Sequence, residues 1–68
     1  MKEYALVCFS GAVLVLPNTL KRVATVSVSD DRSAVTAAFD LLTEFDDSGD
    51  LCIVWDVMED CLVAEVHL

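Results

Sequence analysis

Few residues of this 68-residue chain are of types suited to covalent or metal chemistry: three cysteines (Cys8, Cys52, Cys61) and a single histidine, His67. A thiol beside an imidazole can act as a nucleophile with its base, or supply half of a zinc site. Pairing the last two apolar runs as a hairpin predicts Cys52 opposite His67. Nothing in the sequence completes that pair, because no Asn or Asp is placed to orient the imidazole and no CxxC occurs. The reading is therefore a terminal histidine beside a buried thiol. The run Asp46, Asp47, Ser48, Gly49, Asp50 has the acid and glycine content of a calcium loop, since hard cations need several oxygens on a sharply turned backbone. Leu51 stands where such a loop needs glycine, and Val57 where it needs a bidentate Glu, so the run predicts a polar helix stop instead. No catalytic residue, metal or cofactor is assigned.

The carboxylates carry the stronger signal. From Ser33 onward there are nine (Asp40, Glu44, Asp46, Asp47, Asp50, Asp56, Glu59, Asp60, Glu65) and no Lys or Arg, whereas Lys2, Lys21, Arg22 and Arg32 all precede them; the formal net charge is −8. That balance opposes direct binding to nucleic acid, whose phosphates select basic surfaces. It favours a partner that is itself basic, reached by long-range steering and held by charge-assisted hydrogen bonds. Asp40 and Glu44 are spaced to stand one helical turn apart, with Asp47 extending the row, at a cost of about 0.2–0.5 kcal/mol per like-charged pair. The competing reading is that acid keeps a small protein of 56% hydrophobic composition in solution.

The elements that must position these groups follow from the hydrophobic pattern. One domain, 1–68, is expected, and a chain of this size buries only about 60% of the surface its unfolded form exposes. Three cysteines make an odd number, and each lies in or beside an apolar run, where free cysteine behaves as a small buried hydrophobe; this suggests a reducing compartment. Tyr4 to Leu20 is uncharged, but Glu3 spoils a basic leader, and Ser10-Gly11 and Pro17 interrupt a stretch already short of the ~20 residues a membrane helix needs. Residues 2–9 and 12–16 read as strands joined by a Ser10-Gly11 turn and ended by Pro17-Asn18. Residues 23–29 alternate, with Ala24, Val26 and Val28 on one face and Thr25, Ser27 and Ser29 on the other.

Ser29-Asp30-Asp31 supplies a helix cap for residues 31–45. Ala34, Val35, Ala38, Phe39, Leu41, Leu42 and Phe45 form its apolar arc, with Ala37, Asp40 and Glu44 opposite. Residues 51–57 and 62–68 complete the pattern, with Leu51, Ile53, Trp55 and Val57 expected on the core face with Leu62, Ala64, Val66 and Leu68. The order is β-β-β-α-β-β, an α+β domain with an antiparallel sheet of about five strands and one helix on one face. One helix cannot cover two sheet faces. The second face, expected to carry Cys52, Val54, Val63 and half of the first hairpin, is either partly exposed or meets another subunit, as in a homodimer.

A chain of this length, apolar and uncharged from Tyr4 to Leu20 and without a base from Asp40 to Glu65, resembles the small acidic anti-CRISPR proteins of bacteriophages and mobile elements, especially inhibitors of type I systems. The likeness spans the chain but is one of size, acidity and layout. It implies a noncatalytic inhibitor, in the cytoplasm of a bacterial host, docked on the Cascade surveillance complex where basic side chains would grip target DNA. The contacts expected from exposure are Asp40, Glu44, Asp46, Asp47, Asp50, Glu59 and Asp60, forming one contiguous acidic patch. The alternative is a homodimeric, antitoxin-like or immunity-like interaction module that uses the apolar sheet face.

Overall fold

A computed structural model describes residues 1–10, 20–44 and 49–68. Its elements are β1 (Lys2–Phe9), β2 (Leu20–Val28), α1 (Asp31–Glu44), β3 (Leu51–Asp56) and β4 (Cys61–His67). All pairings are antiparallel, in the order β2-β1-β3-β4, so the chain is α+β with one helix and a four-stranded sheet among the described residues. The expected strand at 12–16, with its Gly11 turn and Pro17-Asn18 stop, lies outside them.

β1 is central and sets the faces. Side chains alternate along a strand, and residues opposite one another share a face. Tyr4, Leu6 and Cys8 are fully or almost fully buried, which commits Asp56, Val54 and Cys52 on β3, and Val26, Ala24 and Arg22 on β2, to the same side. α1 covers that side with Ala34, Ala38 and Leu42, and Val28, Val35, Ala37, Leu41 and Val63 pack at the margin. Each fully buried Leu or Val contributes about 1.5–3 kcal/mol relative to its exposed state.

The helix begins as its sequence dictates: the Asp30 side chain accepts the Ser33 backbone N–H at 2.8 Å, which holds the Asp30 carboxyl below its usual range, and the Asp30 carbonyl accepts the Ala34 N–H. The Ala24, Val26, Val28 face of β2 is the inner one, as its alternation requires.

Two assignments are overturned. In β3 the buried residues are Leu51, as expected, and Cys52, Val54 and Asp56, while Ile53 and Trp55 point to the side away from α1. In 51–56 every residue but the last is apolar, so periodicity cannot choose a face, and the rung partners on β1 decide it. A bulge between Val54 and Trp55 adds Val63 to β4, so Leu62 stands opposite Trp55 on the open face while Ala64 and Val66 stay under the helix. On α1, Phe39 is 47% exposed and Ala37 packs inward, because the close approach of helix to sheet runs along the small residues Ala34 and Ala38.

Gly49 ties the helix end to the sheet. Its φ is +88°, and a Cβ there would overlap the Phe9 carbonyl, so no other residue fits without displacing backbone. Asp50 N–H then donates to that Phe9 carbonyl at 3.0 Å, and the Asp50 carbonyl accepts the Leu68 N–H.

Candidate functional site

The helix places Asp40 and Glu44 on its outward face, both exposed and one turn apart, about 6 Å along the axis. Its last turn holds no basic residue, and among the described residues no Lys or Arg forms an ion pair with either acid. Acid at this end opposes the partial negative charge of the terminal carbonyls. α1 starts beside Lys2 and Tyr4 and runs back along the sheet, so the Asp40, Glu44 pair lies toward the Phe9 end of the molecule, where Asp50 is also exposed.

Glu59 and Asp60 lie at the other end. They occupy the exposed turn after β3, where the Val57 N–H donates to the Glu3 carbonyl and Asp60 has a φ of +56°. Five rungs of strand separate the two groups, roughly 17 Å at 3.4 Å per residue, about twice the screening length at physiological salt. The expected contiguous patch is thus corrected to two separate acidic ends, because the β3 strand carries the chain across the molecule between them. Asp46 and Asp47 lie outside the described residues.

Asp56, one of the nine acids after Ser33, is no surface charge at all. It is 2% exposed and takes part in a network that the hydrophobic pattern did not reveal. Lys2 Nζ lies 2.9 Å from Asp56 Oδ2 and 3.5 Å from Asp31 Oδ1. Asp56 Oδ1 accepts the backbone N–H groups of Met58 and Glu59, each at 3.0 Å, and the buried Tyr4 hydroxyl donates to Asp31. The Lys2 ammonium also stands 5.6 Å from the Tyr4 ring centre, within cation–π range. The hydrogen bond from Lys2 holds the Asp56 carboxyl below its usual range, the same bond raises Lys2, and burial raises Tyr4. The available signal was Asp56 as the lone polar residue in an apolar run and Lys2 as the lone cation leading another.

The Cys52–His67 pair does not form. Cys52 stands opposite Val66, and His67 is opposite Leu51, exposed, with Nε2 3.7 Å from Glu65 Oε1. Cys52 instead faces Cys8, with the sulfurs 3.6 Å apart and both residues buried. Burial, with the neighbouring Cys8 thiol next, pushes Cys52 up to about 12, and burial also raises Cys8. The thiolate is the reactive form of cysteine, and burial disfavours it at both positions. Cys61 departs from the buried expectation and is exposed. Among the described residues no group of His, Cys, Asp and Glu could hold a metal ion, and no helix is long and apolar enough to cross a membrane.

The remaining surface of note is the sheet face opposite α1. Across it run the rungs Thr25–Ala5–Trp55–Leu62 and Val23–Val7–Ile53–Glu65. Val23 is 60% exposed, Leu62 51% and Trp55 36%, so an apolar surface lies open where the sequence placed Trp55 in the core. No protein-family model, curated protein or solved structure matches this chain.

Proposed function

We propose that this chain is a noncatalytic inhibitor that docks its helical acidic end on a basic nucleic-acid-binding groove and blocks it. The observation that carries the reading is the outward pair Asp40 and Glu44 near the end of a helix whose last turn holds no basic residue, an arrangement that costs the helix stability and that a cationic partner would relieve. Asp50, at the same end, extends the contact; Asp46 and Asp47 belong to the same stretch of chain. Glu59 and Asp60 contribute to steering rather than to the same contact, given their position at the far end. The type I Cascade complex in a bacterial cytoplasm is the partner that the resemblance in size and acidity singles out.

The test is a binding titration against purified Cascade at low and high salt, with the wild-type chain and the Asp40→Lys, Glu44→Lys double variant. The wild type binds and is released as salt rises, because exposed charges are screened beyond about 8–10 Å. The double variant keeps its circular dichroism spectrum and loses at least about tenfold in affinity, the equivalent of 1.4 kcal/mol. Unchanged affinity in that variant removes the helix face from the mechanism.

A further inference from the structure

Two of the three cysteines meet on the covered side of the sheet, although 44 positions separate them in the chain. Cys8 on β1 and Cys52 on β3 are direct antiparallel partners on one rung, both fully buried, with their sulfurs 3.6 Å apart. Residues directly opposite in such a pair have Cα atoms about 4.5–5.5 Å apart, inside the range of about 4.4–6.8 Å that a disulfide spans. The bond itself needs the sulfurs at about 2.05 Å, a closure that small rotations about the two Cα–Cβ bonds supply. Cys61 does not compete for either partner within the folded chain. It shares a rung with Asp56, four residues along β3 from Cys52, roughly 14 Å at ~3.4 Å per residue.

We propose that Cys8 and Cys52 close a reversible disulfide when the chain meets a peroxide, stapling β1 to β3 beneath α1. The same rung continues onto β2 at Arg22, which is partly buried, so a guanidinium charge stands on the Cys8 side of the pair. Positive charge favours the thiolate, the form that attacks, and at Cys8 the Arg22 charge works against the effect of burial. Cys52, raised to about 12 by burial and then by the Cys8 thiol, is the partner that stays protonated. Cys8 therefore attacks first. Its thiolate takes one oxygen of hydrogen peroxide: the O–O bond breaks, the leaving hydroxide becomes water with the proton Cys8 gave up, and Cys8 is left two electrons oxidised, as the sulfenic acid. Cys52 then attacks that sulfur; the S–S bond forms, the S–O bond breaks, and the hydroxyl leaves as a second water with the Cys52 proton. Two thiols and one peroxide give one disulfide and two waters, and a dithiol reductant returns both thiols by exchange.

Burial makes the pair slow to react rather than inert. Among the described residues its rung is one short of the end of the β1–β3 ladder, whose last partners are Phe9 and Leu51, and the β1–β2 register shifts between Cys8 and Phe9. Ladder ends open at lower free energy than ladder centres, and a peroxide adds only one oxygen atom to the site before the neighbouring thiol removes it. The bond closes a loop that contains β2 and α1, so it acts by restricting the unfolded chain rather than by reshaping the folded one. In a reducing compartment such bonds are transient and follow the oxidant. The inference does not rest on the inhibitor reading, because the pair lies beneath α1 while Asp40 and Glu44 face outward.

Mass spectrometry of the full chain carrying Cys61→Ser, which removes the exposed thiol that would otherwise link chains, tests the proposal. Should that variant fail to fold, alkylation of Cys61 in the native wild-type chain serves instead. Hydrogen peroxide added to the folded protein lowers its mass by about 2 Da, abolishes thiol labelling in denaturant and leaves single chains, and dithiothreitol restores both thiols. The oxidised form unfolds at a thermal midpoint higher by at least about 5 °C, a rise that dithiothreitol removes. Arg22→Gln slows closure at neutral pH at least about threefold with an unchanged circular dichroism spectrum, and Arg22→Lys, which keeps the charge, keeps the rate. Thiols that survive the peroxide, a gain of about 32 Da per thiol from sulfinic acid, or a bond that joins separate chains overturns the proposal. A midpoint that oxidation leaves unchanged or lowers overturns the staple, and a closure rate indifferent to the charge at position 22 overturns Cys8 as the attacking thiol.

Discussion

The two sides of the sheet are built from nearly the same residue types and behave differently. Under the helix, Leu6, Cys8, Cys52 and Val54 are at most 1% exposed, whereas Val23, Trp55 and Leu62 on the other side keep a third or more of their surface in water. Hydrophobicity therefore does not decide which side becomes the core. Coverage by α1 does, and coverage follows from the rungs that β1 shares with both of its neighbours.

The sharpest way to break the comparison is to make the same kind of cut on each side. Leu6→Ala is expected to cost about 2–4 kcal/mol in urea unfolding, from lost transfer energy plus a residual cavity. Val7→Ala, one residue on and facing the open side, is expected to cost under about 1 kcal/mol at concentrations where the chain is monomeric. Equal costs would mean that the two sides are equally enclosed.

Next in size is the polar end of the covered side. Asp56→Ala leaves the Met58 and Glu59 N–H groups and the Lys2 ammonium without their carboxylate, and should cost about 2–3 kcal/mol, discounted because Lys2 is partly in water. The pH dependence has a definite sign. Asp56 is depressed, so its contribution is present above the unfolded carboxylate range near 4 and is lost as pH falls through its native value. Lys2, Tyr4, Cys8 and Cys52 are raised, so theirs is present below the unfolded values and lost as pH rises, the thiols first, from about 8.5. Denaturation curves from pH 3 to 11 should give a plateau between about 5 and 8. Asp56→Asn should flatten the acid side and, by releasing Lys2, also the part of the alkaline loss above about 10.4, while leaving the thiol part in place.

A smaller effect separates the cysteines. In the native protein a thiol reagent should modify Cys61 rapidly and the buried pair slowly, with all three reacting in denaturant. Fast reaction of Cys8 or Cys52 would show the covered side opening locally. Smallest is the helix end: Asp40→Lys with Glu44→Lys should leave stability unchanged or raise it by a few tenths of a kcal/mol, seen as a small rise in urea midpoint. A loss of more than about 1 kcal/mol would mean that the pair is structural rather than presented to a partner.

By itself the sequence determined the element types and their order among the described residues, the Asp30 cap, the inner face of β2 and the outward placement of Asp40 and Glu44. These follow from local rules: alternation, helical period and capping chemistry act between residues a few positions apart. Only the tertiary structure decided which side of β3 is core, that Asp56 is buried against Lys2, that Cys52 meets Cys8 rather than His67, and that the acids fall at two ends. Each of those depends on which strand lies beside which. In a run as uniformly apolar as 51–55 the side chains accept either face, and a partner 44 or 54 positions away makes the choice.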